Sequence, residues 1–465
     1  MTRRKRAQRT LWEGVVDEDV RALYEPWMIE ADKVLEDEDL IEGVFQAQGQ
    51  RHEYSATKGR SQTPAEMVLR LLLLKHVRNW SFDTLEREVR ANLAYRDFTR
   101  IGLGKVPDAK TLARIAQALG GEVIAELHRR LVEIAREKGV VQGRKMRVDT
   151  TVVETNIHYP TDSSLLGDGA RVLTRTMKKI ERAAGKLKKK VRDRTRSVNK
   201  RVVAIATASR HRGPEGEEKR KKQYRELLRY SRQILNDAKR VIGEVEQMPA
   251  RKKTTLRGLR ENLSAMAVQV RQVVKQTKAR VFEGLTQLPG KVVSLFEAHT
   301  EIIRKGKASK PTEFGKMVQV QEAENQVITH FEVFDKRPSD RELLLSAVEA
   351  HERKLGRVPH LVTADAGFYA QEQERAVKEK GVKWVAVPNR STRSAERKKL
   401  EHSRWFKKAQ RWRTGCEGRI SVIKRRHGLS RCRYRGAEGM KRWVGLGVMA
   451  DNLINIGKAL AVAYA

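Results

Sequence analysis

The stretch KMRVDTTVVET, residues 145–155, is where the pattern of the chain changes. Met146, Val148 and Val152 fall on one side of an extended backbone; Arg147, Asp149, Thr151 and Val153 fall on the other. That period of two is the signature of a strand. Strand-like runs return at 317–320, 327–333, 361–364 and 382–387, separated by helical spacing around Leu343, Leu344, Leu345 and Val348 and again over 369–380. Strands alternating with helices predict an α/β unit.

Before residue 145 the spacing is helical. Residues 1–10, MTRRKRAQRT, read as a basic arm, free or ordered only on a phosphate backbone, and an acid-rich helical stretch follows to about Gln50. Thr63-Pro64 opens a helix carrying Met67, Val68, Leu71, Leu72 and Leu74. Asp83 and Glu86 have capping-box spacing. Pro107-Asp108 opens a third helix through Leu112, Ile115 and Leu119 to Gly120-Gly121. A helix-turn-helix-like DNA reader and a plain helical scaffold both fit this module. Residues 171–290 hold 34 Lys/Arg against 11 Asp/Glu with almost no strand signal, and break at residues 211–217. They read as a helical insertion, a long antiparallel pair, whose charge favours contact with DNA over a merely solvated arm. The expected division is a helical DNA-binding module at 1–140, a catalytic core at 141–166 and 291–465, and the basic insertion at 167–290.

Composition narrows the partner. The 97 Lys/Arg against 58 Asp/Glu give a formal charge of +39, an excess that a polyanion relieves. No uninterrupted apolar run reaches the length of a membrane span; 71–74 and 459–465 are far too short. The N-terminus lacks the apolar core of a secretory signal, and Cys416 and Cys432 make no disulfide framework or zinc spacing. A cytoplasmic, nucleic-acid-bound protein without a membrane partner is the expectation.

Three acids stand out in this basic background. Asp149 lies inside the first strand, where a carboxylate costs desolvation energy unless it is paired or binds metal. Asp365 ends HLVTAD at the carboxyl end of a strand, where open α/β sheets place ligands; capping of the next helix is the competing role. In RWRTGCEGRISVIKRRHGL, Arg413, Ser421 and Lys424 lie within about 40° of Glu417 on a helical wheel, with Val422 and Ile423 on the far side. Alone, that stripe is no more than an exposed ion-pair row.

The spacing Arg413, three residues, Glu417, six residues, Lys424 resembles the signature of bacterial insertion-sequence transposases of the DDE class, in which a Tyr stands three residues before the Arg. Here that place is Gln410. The strand RVDTTVVETN, the segment TADAGFY and the upstream PDAKTLAR extend the resemblance. It implies an RNase H-like core with Asp149, Asp365 and Glu417 as catalytic and metal-ligating residues. It also implies two Mg²⁺ ions (Mn²⁺ as a substitute) and cleavage and strand transfer on double-stranded DNA, namely transposon terminal repeats and target. Arg413, Lys424, Arg425 and Arg426 would contact DNA, with a homodimer on the bound ends. Competing readings are a non-catalytic DNA-binding descendant and an RNase H-like nuclease without strand transfer. His158, Tyr159 and Asp162 read as site-orienting or as turn residues, and Trp405 and Trp412 as base-stacking or packing. Residues 425–442 read as a phosphate strip, and the last helix, with Asn452, as core or oligomer packing.

Overall fold

The computed structural model describes residues 2–5, 17–51, 62–185, 187–211, 213–304 and 311–463. The chain forms two compact units: Met1–Asn156 with Ile303–Ala465, and Ile157–Ile302.

The first unit begins with helices α1 Asp17–Ala22, α2 Pro26–Val34, α3 Glu38–Gly49, α4 Ala65–Val77, α5 Phe82–Ala91, α6 Leu93–Phe98, α7 Ala109–Ala118 and α8 Gly121–Glu137. Side-chain caps start four of them: Asp37, Ser81, Asn92 and Asp108 each accept the N–H three residues on. Ser81 rather than Asp83 is therefore the cap of α5. Its backbone is extended, and the helix has already begun at Phe82. Pro64 has no side-chain acceptor to offer α4, and the carbonyls of Arg3 and Arg4 take the N–H groups of Ala65 and Glu66 instead. Arg4 pairs with Glu42, and Lys5 with Glu38. Residues 2–5 are thus docked on the helical module, contrary to the expected free arm; 6–10, like 11–16 of the acid-rich stretch, lie outside the described residues.

Every residue of α4 is buried. Its Arg70 is accommodated by Asp32, Glu66 and the Phe98 carbonyl, the condition on which a charge survives in a core.

The sheet follows. Strand β1 is Lys145–Glu154, β2 Glu301–Arg304, β3 Thr312–Glu322, β4 Ile328–Val333, β5 Leu361–Thr363 and β6 Trp384–Ala386. Their order is β2-β3-β1-β5-β6, with β4 also on β3. Strand β3 is antiparallel to β1 and β4, whereas β5 is parallel to β1 and β6. Sequence reading missed β2, whose four residues are too few to show alternation. Within this unit, α13 (Leu343–Leu355) and α14 (Gln371–Glu379) cover one face: Met146 and Val148 pack there with Leu344, Val348 and Phe368. The chain closes with α15 (Ala395–His402), α16 (Arg404–Arg426) and α17 (Gly436–Ala463). Val153, Val318 and Val320 meet Ile423, Trp443 and Val444 on the other face. The mixed sheet between helical layers agrees with the α/β expectation.

Helix α17 is the spine of the unit, packing on α2, α4, α8 and β4. It has the length and apolarity to cross a membrane, although Asp451, Asn452 and several glycines break it into short apolar runs. Its most apolar window is 61% buried inside the protein. At Gly457 a Cβ would overlap the Trp27 carbonyl, so the close crossing with α2 depends on the missing side chain.

The second unit consists of α9 (Asp162–Ala184), α10 (Thr195–Ala208), α11 (Pro214–Glu246) and α12 (Ala250–Phe282). The two 33-residue helices α11 and α12 form the expected long pair, but two further helices complete it. The turn expected over 211–217 is shorter, since Glu215 and Glu217 already belong to α11. Leu166, Leu173, Met177, Leu227, Ile234, Leu263 and Val270 build a core of its own.

Candidate active site

Parallel pairing joins Lys145 to Leu361, Met146 to Val362 and Arg147 to Thr363. Continuing that register by two residues sets Asp149 level with Asp365, just beyond the end of β5. Residues two apart on a strand share a face, so Asp149 lies with Arg147 on the side occupied by α16, and the same alternation continued past the end of β5 assigns Asp365 to that side. That helix packs on β1, β5 and β6.

Three contacts fix α16 there. The Arg147 guanidinium, on the Asp149 face of β1, donates to the Trp412 carbonyl, lies 4.8 Å from the Trp412 ring and pairs with buried Glu322. Gly415 sits against that guanidinium, and an added Cβ would overlap it. Gln410 donates through Nε2 to the carbonyls of Ala364 (3.2 Å) and Ala386 (2.5 Å), stitching α16 to the ends of β5 and β6 immediately before Asp365. Below them, buried Arg419 makes two bonds to Asp451 of α17, at 2.8 and 3.1 Å. The core-facing stripe of α16 is accordingly Cys416, Arg419 and Ile423. Val422, expected in it, is only half-buried, and the wheel had no way to anticipate a buried ion pair at Arg419.

Half-buried Asp149 accepts the Thr150 N–H at 2.7 Å. Half-buried Asp365 accepts the Gly367 N–H at 2.9 Å, capping the short turn Ala366–Phe368. Its alternative reading as a helix cap is thus realised, without consuming its second oxygen in that bond. Glu417 is exposed and accepts from Arg413 at 2.8 Å. Arg413 is 14% exposed, and its Nε and Nη1 are buried without a hydrogen-bond partner. Such stranded donors cost free energy unless an anion reaches them. Lys424 is half-buried, whereas Arg425 and Arg426 are exposed. Burial, with the neighbouring Glu322 and Asp149 carboxylates, pushes the Cys416 thiol well above its ordinary range. It is neither nucleophile nor ligand in this state.

The acids therefore occupy three adjoining elements, but they do not close on a point: among the described residues no three His, Cys, Asp or Glu side chains form a group fit to hold a metal. A cleft of about 580 Å³ along α8, lined by Asp39, Glu122, Glu126, Arg129, Arg130 and Glu133 among others, involves none of them.

Several other candidates have structural work. Trp405 packs on Trp384 and Phe406, and Trp412 carries Arg147. Asn452 is fully buried and mimics a peptide, accepting the Ile328 N–H and donating to the Ile328 carbonyl, both at 2.8 Å. In the second unit, Asp162 is buried with Arg280 and Gln276, Tyr159 is exposed, and His158 lies 3.7 Å from Asp168.

Sequence reading missed Arg147, Glu322 and Gly415. Only the oddity of an Arg and a Glu at core positions of facing strands, and of a Gly inside a helix, hinted at them.

Residues 30–118 match the family described as a transposase domain (DUF772), and residues 372–456 match the transposase DDE domain. The second match contains Arg413, Glu417 and Lys424; Asp149 and Asp365 fall outside both. No curated protein and no solved structure matches the chain.

Proposed function

We propose that this chain, whose residues 30–118 and 372–456 match transposase domain families, is an insertion-sequence transposase of the DDE class that cleaves transposon ends and joins them to target DNA, using Asp149, Asp365 and Glu417. The observation that carries the reading is the register that sets Asp149 level with Asp365 on the sheet face covered by the Glu417 helix. Three antiparallel strands (β4, β3, β1) followed by two parallel ones (β5, β6) are also the arrangement expected of an RNase H-like core.

The donor set suits a hard divalent cation such as Mg²⁺, because it offers carboxylate oxygens while the adjacent thiol is buried and protonated. Asp149, Asp365 and Glu417 would hold it, and it would supply charge stabilisation and an activated oxygen nucleophile. The set is correct in kind but not closed, since Glu417 is turned to Arg413. A scissile phosphate entering the gap satisfies the stranded Nε and Nη1 of Arg413 and competes with Glu417 for it. Glu417 is thereby freed to turn toward the two Asp residues. Lys424, Arg425 and Arg426 extend the cationic edge along the same helix and hold the DNA backbone in register. DNA is the partner in this reading, two copies pair two ends, and the protein works in the cytoplasm.

The Arg413–Glu417 ion pair favours one other reading, a DNA-binding protein descended from such an enzyme. Cleavage of a labelled duplex carrying the terminal repeats, in Mg²⁺ and in chelator, decides between them. Asp149→Asn, Asp365→Asn and Glu417→Gln are each expected to lose metal-dependent nicking by at least about a hundredfold while binding the duplex as wild type does. Nicking that survives all three changes would overturn the active-site assignment. Binding without nicking by the wild-type protein would favour the DNA-binding descendant.

A further inference from the structure

The cations of the second unit are not equivalent. On α11 most are matched by acids of the same helix: Lys219 with Glu215, Lys221 with Glu217, Arg225 with Glu218, Arg229 with Glu226 and Arg240 with Glu244. Helix α12 carries a single acid, Glu261, in 33 residues. Its cations Lys253, Arg257, Arg271 and Lys275 are all exposed, and among the described residues none has an ion-pair partner.

These four lie on one face. On a wheel of about 100° per residue they fall within about 40° of each other. Leu256, Leu263 and Val270, which point into the core of the unit, lie elsewhere on the wheel. Arg260 and Lys278 flank the stripe but have acids nearby, Glu246 at 3.6 Å and Glu283 at 3.7 Å. The stripe has a gap in its middle, where exposed Ser264 and Val268 replace charge. At a rise of about 1.5 Å per residue, Lys253 and Lys275 are about 33 Å apart along the axis. One turn of duplex DNA advances by about 34 Å. The two pairs repeat at about 27 Å and their outermost members at about 33 Å, so an unpaired cationic ridge with a charged pair at each end spans two successive passes of a phosphate backbone, the long Lys and Arg side chains making up the difference, with a groove between.

We propose that this face of α12 is a duplex-binding rail, on which Lys253 with Arg257 and Arg271 with Lys275 clamp phosphates on two successive passes of the backbone without reading sequence. The inference rests on the reading of the chain as a DNA transposase. An anionic lipid surface is the competing occupant, but it offers no repeat to which the gap would correspond.

The test uses the full-length chain. Affinity for a 40-bp duplex without terminal repeats is measured across a salt series for wild type and for the fourfold variant Lys253→Gln, Arg257→Gln, Arg271→Gln, Lys275→Gln. Each phosphate contact contributes about 0.9 to the slope of log affinity against log salt. The fourfold variant is expected to lose about three to four units of slope and at least tenfold in affinity at moderate salt. The two double variants, one for each end of the stripe, are expected each to lose about half the slope. A control variant with Lys219, Lys221, Arg225 and Arg229 changed to Gln is expected to keep the wild-type slope. All the changes are on exposed positions except Lys221, which is half-buried, and helical circular dichroism and its melting point check that the unit still folds. An unchanged slope in a folded fourfold variant overturns the rail, as does an equal loss in the α11 control. So does a loss of binding to phosphatidylglycerol vesicles with none to the duplex. The catalytic reading stands or falls separately, because Asp365→Asn is expected to keep the full salt slope while losing nicking.

Discussion

Lys75 shows what a single buried residue costs this protein. Its ammonium lies 4.8, 5.2 and 4.9 Å from the rings of Phe82, Tyr434 and Trp443, which attract a cation. Burial works in the opposite direction and is aided by Arg433, and the pKa falls to about 7. Unfolded, Lys75 holds its proton until near its ordinary value of 10.5. Between pH 7 and about 10 the unfolded state therefore binds the extra proton, and folding stability rises with pH through that window, by at most about 1.4 kcal/mol per pH unit. Chemical denaturation of wild type and Lys75→Met from pH 6 to 10 checks this. The variant should lack the rise, and parallel curves for the two proteins would show that Lys75 is not its source.

At the scale of elements the sensitive part is α16, because it carries Glu417 and touches the strands that carry both Asp residues. Gly415→Ala pushes a methyl into the Arg147 guanidinium. Overpacking of this kind costs about 1–3 kcal/mol, and here it also lifts Glu417 from the site. The expected outcome is a moderate drop in melting temperature with a much larger loss of nicking; a stable, fully active variant would mean that the helix is not placed by Arg147. Much of this element was legible in advance. Arg413, Glu417 and Lys424 share a stripe by simple periodicity, and α16 does run through all three. Its inner face was not legible, since a wheel ranks side chains by polarity and would never bury Arg419, which is held by Asp451 from a helix 32 positions on. Asp149 and Asp365 were each recognisable as acids in or at the end of a strand. Their alignment was not, because register between strands 216 residues apart leaves no trace in local spacing. Gln410 looked like a mere departure from a family pattern until its amide was seen to bridge two strand ends.

At the scale of the molecule, the first unit does not need the second to complete its core. Thr155 donates to the Phe314 carbonyl at 3.0 Å, and Ile303 packs with Val152 and Met317, so the chain leaves and re-enters on the same part of the sheet. Replacing 157–302 by a short Gly/Ser linker is expected to leave a cooperatively folding protein with the sheet intact. Circular dichroism and a single thermal transition would check it, and a molten or insoluble product would show that the insertion is structurally required.

The position of β1 has a consequence for synthesis on the ribosome. It is central in the sheet, yet its neighbours β3 and β5 begin at Thr312 and Leu361. At about 5–20 residues per second, the nascent chain carries β1 with both edges open for roughly 8–30 s before β3 emerges. During that wait the helices of the second unit, whose contacts are local, have time to form. The strand meanwhile has only its own charges to discourage pairing with a neighbouring chain, and Lys145, Arg147 and Asp149 interrupt what is otherwise an apolar, β-branched run. The carboxylate proposed for chemistry in the finished protein is thus also a gatekeeper for the unfinished one.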